Sequence, residues 1–368
     1  MDLLTQAAIA AHERLHTYLQ SKAETIRAEK WNTLLQNAVN TFPEEQKRVA
    51  ETVLRNQVVW LDKETIRTQQ SIPQFKIPKA QEVLFRVAVE YMRRLNVYGI
   101  VSVQPISGPV GLVYGMRYTK REEDMLSLEI LSQSVQAQTK RLSASWTLEA
   151  QQDIESLHGI DFEEEIIRAV GREISTETIT EIVRDLVHLA EDNEQEYTLR
   201  EGVCAEQTMR ELAVHINKVG VEIARRTRRG CGNYIVVSPT VLAFLQSQKA
   251  FEFVPTEMES MELFSFAHVG DLHYNDKLMY KVYLTVAMPS EETILVGYQG
   301  SSPVDTGYIF CPFVPVMSSG VVVDPVTFEP RQALMTRYAK TSFDADDARV
   351  EMKGSYYGRV QVRNLLSV

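Results

Sequence analysis

Residues 126–148, LSLEILSQSVQAQTKRLSASWTL, alternate polar and apolar side chains over a long distance, then turn polar on both faces between Ser132 and Arg141. A strand inside a compact sheet keeps at least one continuous apolar face. The preceding run YGIVSVQPISGPVGLVYGMRY (98–118) is also strand-like, with Gly and Pro as punctuation. The charged tip Thr119-Lys120-Arg121-Glu122-Glu123-Asp124 joins the two. Together they predict a long hairpin arm. A two-stranded arm is marginal by itself in water, so the chain is expected to lay it on something else.

The body that carries the arm is predicted around residues 161–189. Asp161 stands at an N-cap position, with Glu163, Glu164 and Glu165 in the first turn, where the helix dipole favours negative charge. Phe162, Ile166, Ile167, Val170, Ile174, Ile179, Ile182, Val183 and Leu186 form one sustained stripe, and Gly171 within it reads as a bend or a close approach. Such a helix spans about 40 Å, enough to act as a spine. A second helix is expected from Ala205 to Arg229, with Met209, Leu212, Ile216, Val219 and Ile223 inward. It closes on Arg225, Arg226, Arg228 and Arg229, with Gly230 as the stop. A strand NYIVVS and a short helix opened by Ser238-Pro239 follow. Beyond Phe251 the pattern is strands and turns.

Residues 1–62 read as helical and polar, restarting at Phe42-Pro43-Glu44-Glu45. Their apolar stripe is thin, so they are expected to dock on a partner or to be loosely held. Residues 71–80, with two prolines, read as an extended connector, and a short helix carrying Val83, Leu84, Val87 and Met92 follows.

Charge and composition narrow the function. No run approaches the roughly 20 apolar residues that span a bilayer. The N-terminus lacks a basic region, and His12, Glu13 and Arg14 interrupt its short apolar run, which predicts a cytosol-like compartment. The net charge is −10, and residues 151–211 hold seventeen Asp and Glu against five Arg and no Lys. Tight nucleic-acid binding wants a basic stripe instead. A passive container for DNA stays compatible.

The chemical motifs are thin. Cys204, Cys231 and Cys311 are far apart and lack CxxC spacing, so packed thiols are expected rather than a disulfide or zinc framework. Gly230-Cys231-Gly232 follows a helix and precedes a strand, the reverse of a dinucleotide fingerprint. His12 and His16 have metal-capable spacing without the accompanying Glu. A nucleophilic Cys231 or Cys311 would need a base brought close by the fold. The four arginines at 225–229 read as a solvated helix end, an anion site, or a basic knob. The knob would face an acidic surface, such as the 151–211 block, on a neighbouring copy.

Four stretches carry a resemblance: VYGIVSVQPISGPVGLVYGMRY (97–118), SVQAQTKRLSASWTLEAQQDIESLHGIDFEEEIIRAVGREI (134–174), EIARRTRRGCGNYIVVSPTVLAFL (222–245) and ILVGYQGSSPVDTGYIFCPFVPV (294–316). In this order they resemble segments of the major capsid proteins of T-even-like tailed bacteriophages. The resemblance implies an α+β chain of the Hong Kong 97 capsid fold. It implies an N-terminal arm over 1–84, the start of a peripheral domain over 85–106 and an extended hairpin loop over 107–150. A spine helix of the peripheral domain over 151–205, an axial domain over 206–310 and a return to the peripheral domain over 311–368 complete it.

The implied function is self-assembly into hexamers and pentamers of an icosahedral head enclosing double-stranded DNA, in the virion after assembly in the host cytoplasm. Implied partners are further copies of the chain, scaffold, portal, prohead protease, and decoration or vertex proteins. DNA is enclosed without sequence-specific binding; no membrane, cofactor, metal or catalytic residue is implied. Lys120, Arg121, Glu122 and Glu123 at the hairpin tip, with Arg225, Arg226, Arg228 and Arg229, are the candidate contacts between copies. Ile26-Arg27-Ala28-Glu29 before Lys30 resembles the family's protease motif, a short motif ending in Glu. The insertion domain that larger members carry in the extended loop is missing from the short tip at 119–125. Alternatives are a pentameric vertex protein of the same fold, an encapsulin-like compartment shell, or an enzyme using Cys231 or Cys311.

Overall fold

The computed structural model describes residues 3–68, 78–120, 126–159, 161–199, 205–247, 252–255, 266–274, 277–343 and 355–364. In chain order the described elements begin with α1 (Leu3–Val39), α2 (Glu44–Thr68), α3 (Lys79–Arg94), β1 (Ser102–Val103), β2 (Val110–Lys120), β3 (Leu126–Gln136) and β4 (Gln138–Ser145). Then come α4 (Leu148–His158), α5 (Phe162–Leu189), β5 (Glu194–Thr198), α6 (Ala205–Thr227), β6 (Tyr234–Val237) and α7 (Pro239–Ser247). The rest are strands: β7 (Glu252–Pro255), β8 (Phe266–Tyr274), β9 (Lys277–Thr285), β10 (Thr293–Gly297), β11 (Tyr308–Val323), β12 (Pro330–Ser342) and β13 (Tyr357–Arg363). The fold class is α+β, as expected. The chain divides into two compact units, and the division passes through α5 between Gly171 and Arg172.

The first unit holds residues 1–93, 139–171 and 313–337. Here α1 buries Ala23, Arg27, Trp31, Leu35 and Val39, one side chain every fourth residue, opposite Ala50, Val53, Leu54 and Leu61 of α2. The stripe reads as thin because a charge sits in its middle. Arg27 is buried against Asp62 at 3.2 Å, a pair from different helices. Trp31 meets Phe85 of α3 with ring centroids 5.7 Å apart. These helices therefore bury their stripe within their own chain. The amide of Gln57, fully buried on α2, donates to the Val316 carbonyl at 2.6 Å and accepts from the Val316 amide at 3.1 Å. Asn56 beside it donates to the Phe313 carbonyl at 3.0 Å. Two side chains of a helix thus stand where a neighbouring strand would otherwise bond β11. Gly171 is a close approach, since a Cβ there would lie 2.5 Å from Val87 of α3.

The second unit holds residues 94–138, 172–312 and 338–368. Its seven-stranded sheet has the order β5-β13-β10-β6-β9-β8-β7, parallel at β5–β13 and β6–β9 and antiparallel elsewhere. Leu212, Ile216, Val219 and Ile223 of α6 join Ile235, Val237, Ile294, Val296, Val360 and Val362 of the sheet in one core. Each such side chain contributes on the order of 1.5–3 kcal/mol by leaving water. A further sheet has the order β1-β11-β12-β4, and β2 and β3 form a two-stranded sheet of their own.

Three local expectations change. The alternation through 126–148 is two strands, β3 and β4, that part at Ala137, whose amide still donates to the Pro109 carbonyl at 2.8 Å. β4 is then the edge strand of another sheet and half-exposed along its length, which is why it looked polar on both faces. Residues 148–158 form α4 rather than continuing the arm; Thr147 caps its N-terminus by accepting from the Ala150 amide, and Gly159 ends it at φ +63°. Finally, α6 stops at Arg228, which takes the left-handed conformation (φ +55°), not at Gly230. Gly230 is needed for close packing instead, since a Cβ there would lie 2.8 Å from the Tyr298 ring. The connector expected over 71–80 lies mostly outside the described residues, and Asp161 caps α5 as expected, accepting from the Glu164 amide.

Truncating Gln57 to Ala strands two buried backbone groups of β11. Denaturant unfolding should show the variant destabilised by about 2–4 kcal/mol, while truncating an exposed neighbour on α2 such as Arg55 should cost under about 0.5 kcal/mol.

Candidate functional site

The hairpin β2–β3 pairs Val110 with Gln136 at its base and Lys120 with Leu126 at its far end, without a slip in register. Even-numbered residues share one face. That face carries Val110, Leu112 and Tyr114 on β2 and Leu128 and Ile130 on β3, all exposed, with Ile130 the most at 73%. The odd face carries Val113 and Val135, both buried. So one side of the arm is used near its base and the other is an uncovered apolar strip. The sequence reading missed this strip, because Ser132 and Ser134 interrupt it on β3 while β2 completes it across the register (Leu112 opposite Ser134, Tyr114 opposite Ser132).

The base is held from several directions. Gln104 accepts from the Tyr114 amide at 3.1 Å and donates to the Tyr114 carbonyl at 2.8 Å. The Met116 amide donates to the Val304 carbonyl at 2.9 Å, and Thr341 donates to Gln133 at 2.6 Å. Gly115 sits where a Cβ would collide with Phe343. Loop 298–305 is itself fixed by Arg229 of the α6 terminus, whose guanidinium meets the Asp305 carboxylate at 2.7 Å with side chains only 15% and 5% exposed. Burial raises the Asp305 carboxyl above its usual range, and the Arg229 charge opposes that.

The four-arginine cluster is less open than its sequence suggests. Glu222 binds both Arg225 and Arg226 at 2.8 Å. Hydrogen bonds from Arg225, then Arg226, hold the Glu222 carboxyl down at about 2. Arg226 also donates to the Asp192 carbonyl at 3.0 Å. Arg228 alone of the four is exposed with no ion pair among the described residues. The acidic block is likewise answered from far along the chain. Glu181 and Asp185 take Lys340 at 2.5 and 2.7 Å, and Tyr338 and Tyr308 donate to the same two carboxylates. Burial alone would lower the pKa of Lys340; hydrogen bonds to Asp185 and Glu181 outweigh it and hold it above the ordinary value. Glu194 pairs with Arg359 at 2.8 Å and Glu196 with Arg363 at 2.6 Å. No local signal announces these partners, which lie more than 120 residues downstream.

Of the tip residues, Arg121, Glu122 and Glu123 lie outside the described residues, and Lys120 is described only as the last residue of β2. Ile26, Glu29 and Lys30 lie within about one turn of α1; Ile26 is half-buried, Glu29 and Lys30 are exposed, and the Glu29 carbonyl accepts from Thr33. Cleavage after Glu29 therefore requires α1 to open locally. Cys204 lies outside the described residues, Cys231 is exposed, and Cys311 is fully buried. Burial pushes the Cys311 thiol up to about 12, the opposite of an activated nucleophile. Among the described residues there is no cluster of three or more His, Cys, Asp or Glu placed to hold a metal, and no helix long and apolar enough to cross a membrane.

An α+β chain with a clamped hairpin whose apolar strip is left uncovered has the surface of a protein that meets other protein. Residues 123–362 match the family described as Major capsid protein Gp23, and the chain belongs to that family. The major capsid protein of Enterobacteria phage T4 is 26% identical over 282 residues, covering 65% of this chain and 52% of that protein. That of Vibrio phage KVP40 is 25% identical over 280 residues, covering 67% and 54%. The chain thus spans about half the length of the curated relatives it matches. Among solved structures it is similar to one from Mycobacterium phage Adephagia, at 10% identity and TM-score 0.46, covering 73% of this chain and 89% of that one. A virus-like particle from Pyrococcus furiosus gives 10% and 0.43, covering 76% and 100%.

Iodoacetamide at pH 8 should leave Cys311 unmodified in the folded protein, by peptide mass spectrometry, and label it once denaturant is added. Labelling of native protein at Cys311 would contradict the burial that raises its pKa.

Proposed function

We propose that this chain is the shell-forming subunit of a phage head. Copies assemble into hexamers and pentamers of an icosahedral capsid with the Hong Kong 97 organisation, around double-stranded DNA that they enclose without reading its sequence. The exposed apolar strip on β2–β3 is the observation that carries the reading, together with membership of a capsid-protein family. Strip and ladder gain by lying over a neighbouring copy, where the apolar side chains leave water. Heterologous contacts of this kind close rings when the rotation between copies closes, and many modest interfaces then add to one stable shell.

In this reading residues 1–84 are the arm, 107–150 the extended loop, 151–205 the spine region and 206–310 the axial domain. The tip residues Lys120, Arg121, Glu122 and Glu123, with Arg225, Arg226, Arg228 and Arg229, are contacts between copies. Arg228 is the best placed of the arginines, because the other three already have acidic partners in their own chain. The protein has no catalytic role, cofactor or membrane partner. It works in the virion and meets scaffold, portal, prohead protease and vertex or decoration proteins during assembly in the host cytoplasm. A prohead protease acting after Glu29 would reach its bond only when α1 frays.

Gly115 and Leu131 face each other in the ladder, so the arm can be shortened at that rung. Replacing residues 116–130 by an Asn-Gly turn should leave a folded, soluble monomer that forms neither rings nor shells by negative-stain electron microscopy. Wild-type shells from that variant would sink the reading. Pentamers alone from the full chain would instead make it the vertex protein.

A further inference from the structure

The helix α4 has a property no other described helix shares: none of its residues is buried. An isolated helix of its eleven residues is marginal in water, and what holds it is local. Thr147 and Gly159 cap its ends, Gln151 accepts from the Trp146 indole at 3.0 Å, and Gln151 donates to Glu155 at 3.0 Å. Helical spacing puts Ala150, Ile154 and Leu157 on one stripe, and Leu157 is 76% exposed. Glu149, Asp153 and Glu155 flank it and have no basic partner among the described residues. Glu181, Asp185, Glu191, Glu194 and Glu196 of the neighbouring block are answered by Lys340, Arg359 and Arg363; the acids of α4 are not.

The solvent face of α6 is its complement. Arg210, Val214, Lys218, Val221 and Arg225 recur at intervals of three and four residues, so they form one line along the helix, and all are exposed. The opposite face of the same helix is committed to the core through Leu212, Ile216, Val219 and Ile223. Two valines set between bases face an Ile–Leu stripe set between acids, opposite in charge and alike in apolar content, and the α6 line is long enough to seat α4: Arg210–Arg225 spans about 22 Å and Leu148–His158 about 15 Å at 1.5 Å per residue. The two faces are different patches of the same chain, so pairing them between copies is heterologous, the geometry that builds rings.

We propose that α4 of one copy docks on the α6 solvent face of a second copy, with Ile154 and Leu157 against Val214 and Val221 and the flanking acids against Arg210 and Lys218. The contact rests on the shell-forming reading above and adds a second interface to that of the hairpin. The acids and bases set its register and reject wrong partners, while the aliphatic side chains hold it closed.

The test is charge reversal and its rescue in the full-length chain. Glu149→Lys/Asp153→Lys/Glu155→Lys and, separately, Arg210→Glu/Lys218→Glu are each assayed for assembly by sedimentation and negative-stain microscopy. Circular dichroism melting checks that each remains folded, as exposed positions should. Either set alone should reduce assembled mass about tenfold or more, which corresponds to roughly 1.4 kcal/mol of lost association. The two sets combined in one chain should restore assembly. If the wild type assembles and either reversed variant assembles equally, or if the combined chain stays unassembled while folded, the α4–α6 contact is overturned and the shell-forming reading stands. If the wild type forms no rings or shells under any condition, both fall.

Discussion

A two-stranded antiparallel ladder satisfies its backbone hydrogen bonds along one seam, yet it has two faces and can use only one of them on its own body. In this chain the odd face of β2–β3 is used, through Val113 and Val135, and the even face is not. Several segments of the second unit serve to anchor that arm. Gln104, Val304, Thr341 and Phe343 hold the root of the arm from several directions, and the Arg229–Asp305 pair holds the loop that holds the root. Rigid anchorage of the root decides where the uncovered strip is presented. A freely pivoting arm would lose orientational entropy on every contact it made.

Charge follows a similar economy. The acidic stretch 151–211 looks in the sequence like an unbroken negative surface, but β12 and β13 return with Lys340, Arg359 and Arg363 to pair with Glu181, Asp185, Glu194 and Glu196, and Tyr308 and Tyr338 add hydrogen bonds. Partly buried pairs of this sort contribute little net stability over apolar packing, but losing one partner strands the other. They specify which strand lies beside which helix.

Regular periodicity was the part of this fold legible without coordinates. The stripe of α5, the Asp161 cap, the Ser238-Pro239 start of α7 and the stripe of α6 are local patterns, and each stands where the spacing put it. Long-range pairing was not legible. Arg27 interrupts its stripe because it answers Asp62 from another helix, and nothing near Arg229 announces Asp305. The apolar strip of the hairpin was hidden for a related reason: it is continuous only when two strands are read together. The end of α6 was misplaced by one plausible glycine, since Arg228 takes the left-handed turn and Gly230 yields space to Tyr298. As for the arginines proposed as contacts between copies, the sequence could not tell spent charges from unspent ones, because Glu222 and Asp305 answer Arg225, Arg226 and Arg229 only once the chain is folded.

The Gln57 amide has a consequence for how the chain keeps company with itself at high concentration. β1 and the residues after it cover β11 only as far as Pro312, whose carbonyl accepts from the Ile106 amide at 3.2 Å, and the edge beyond would be open to a foreign strand. Asn56 and Gln57 occupy that edge at Phe313 and Val316 with side-chain amides that mimic a strand but cannot be extended by one. An open edge recruits any extended segment it meets and grows into fibrous aggregate. By plugging that stretch with a helix, the chain takes this part of β11 out of strand-by-strand growth when copies are crowded together.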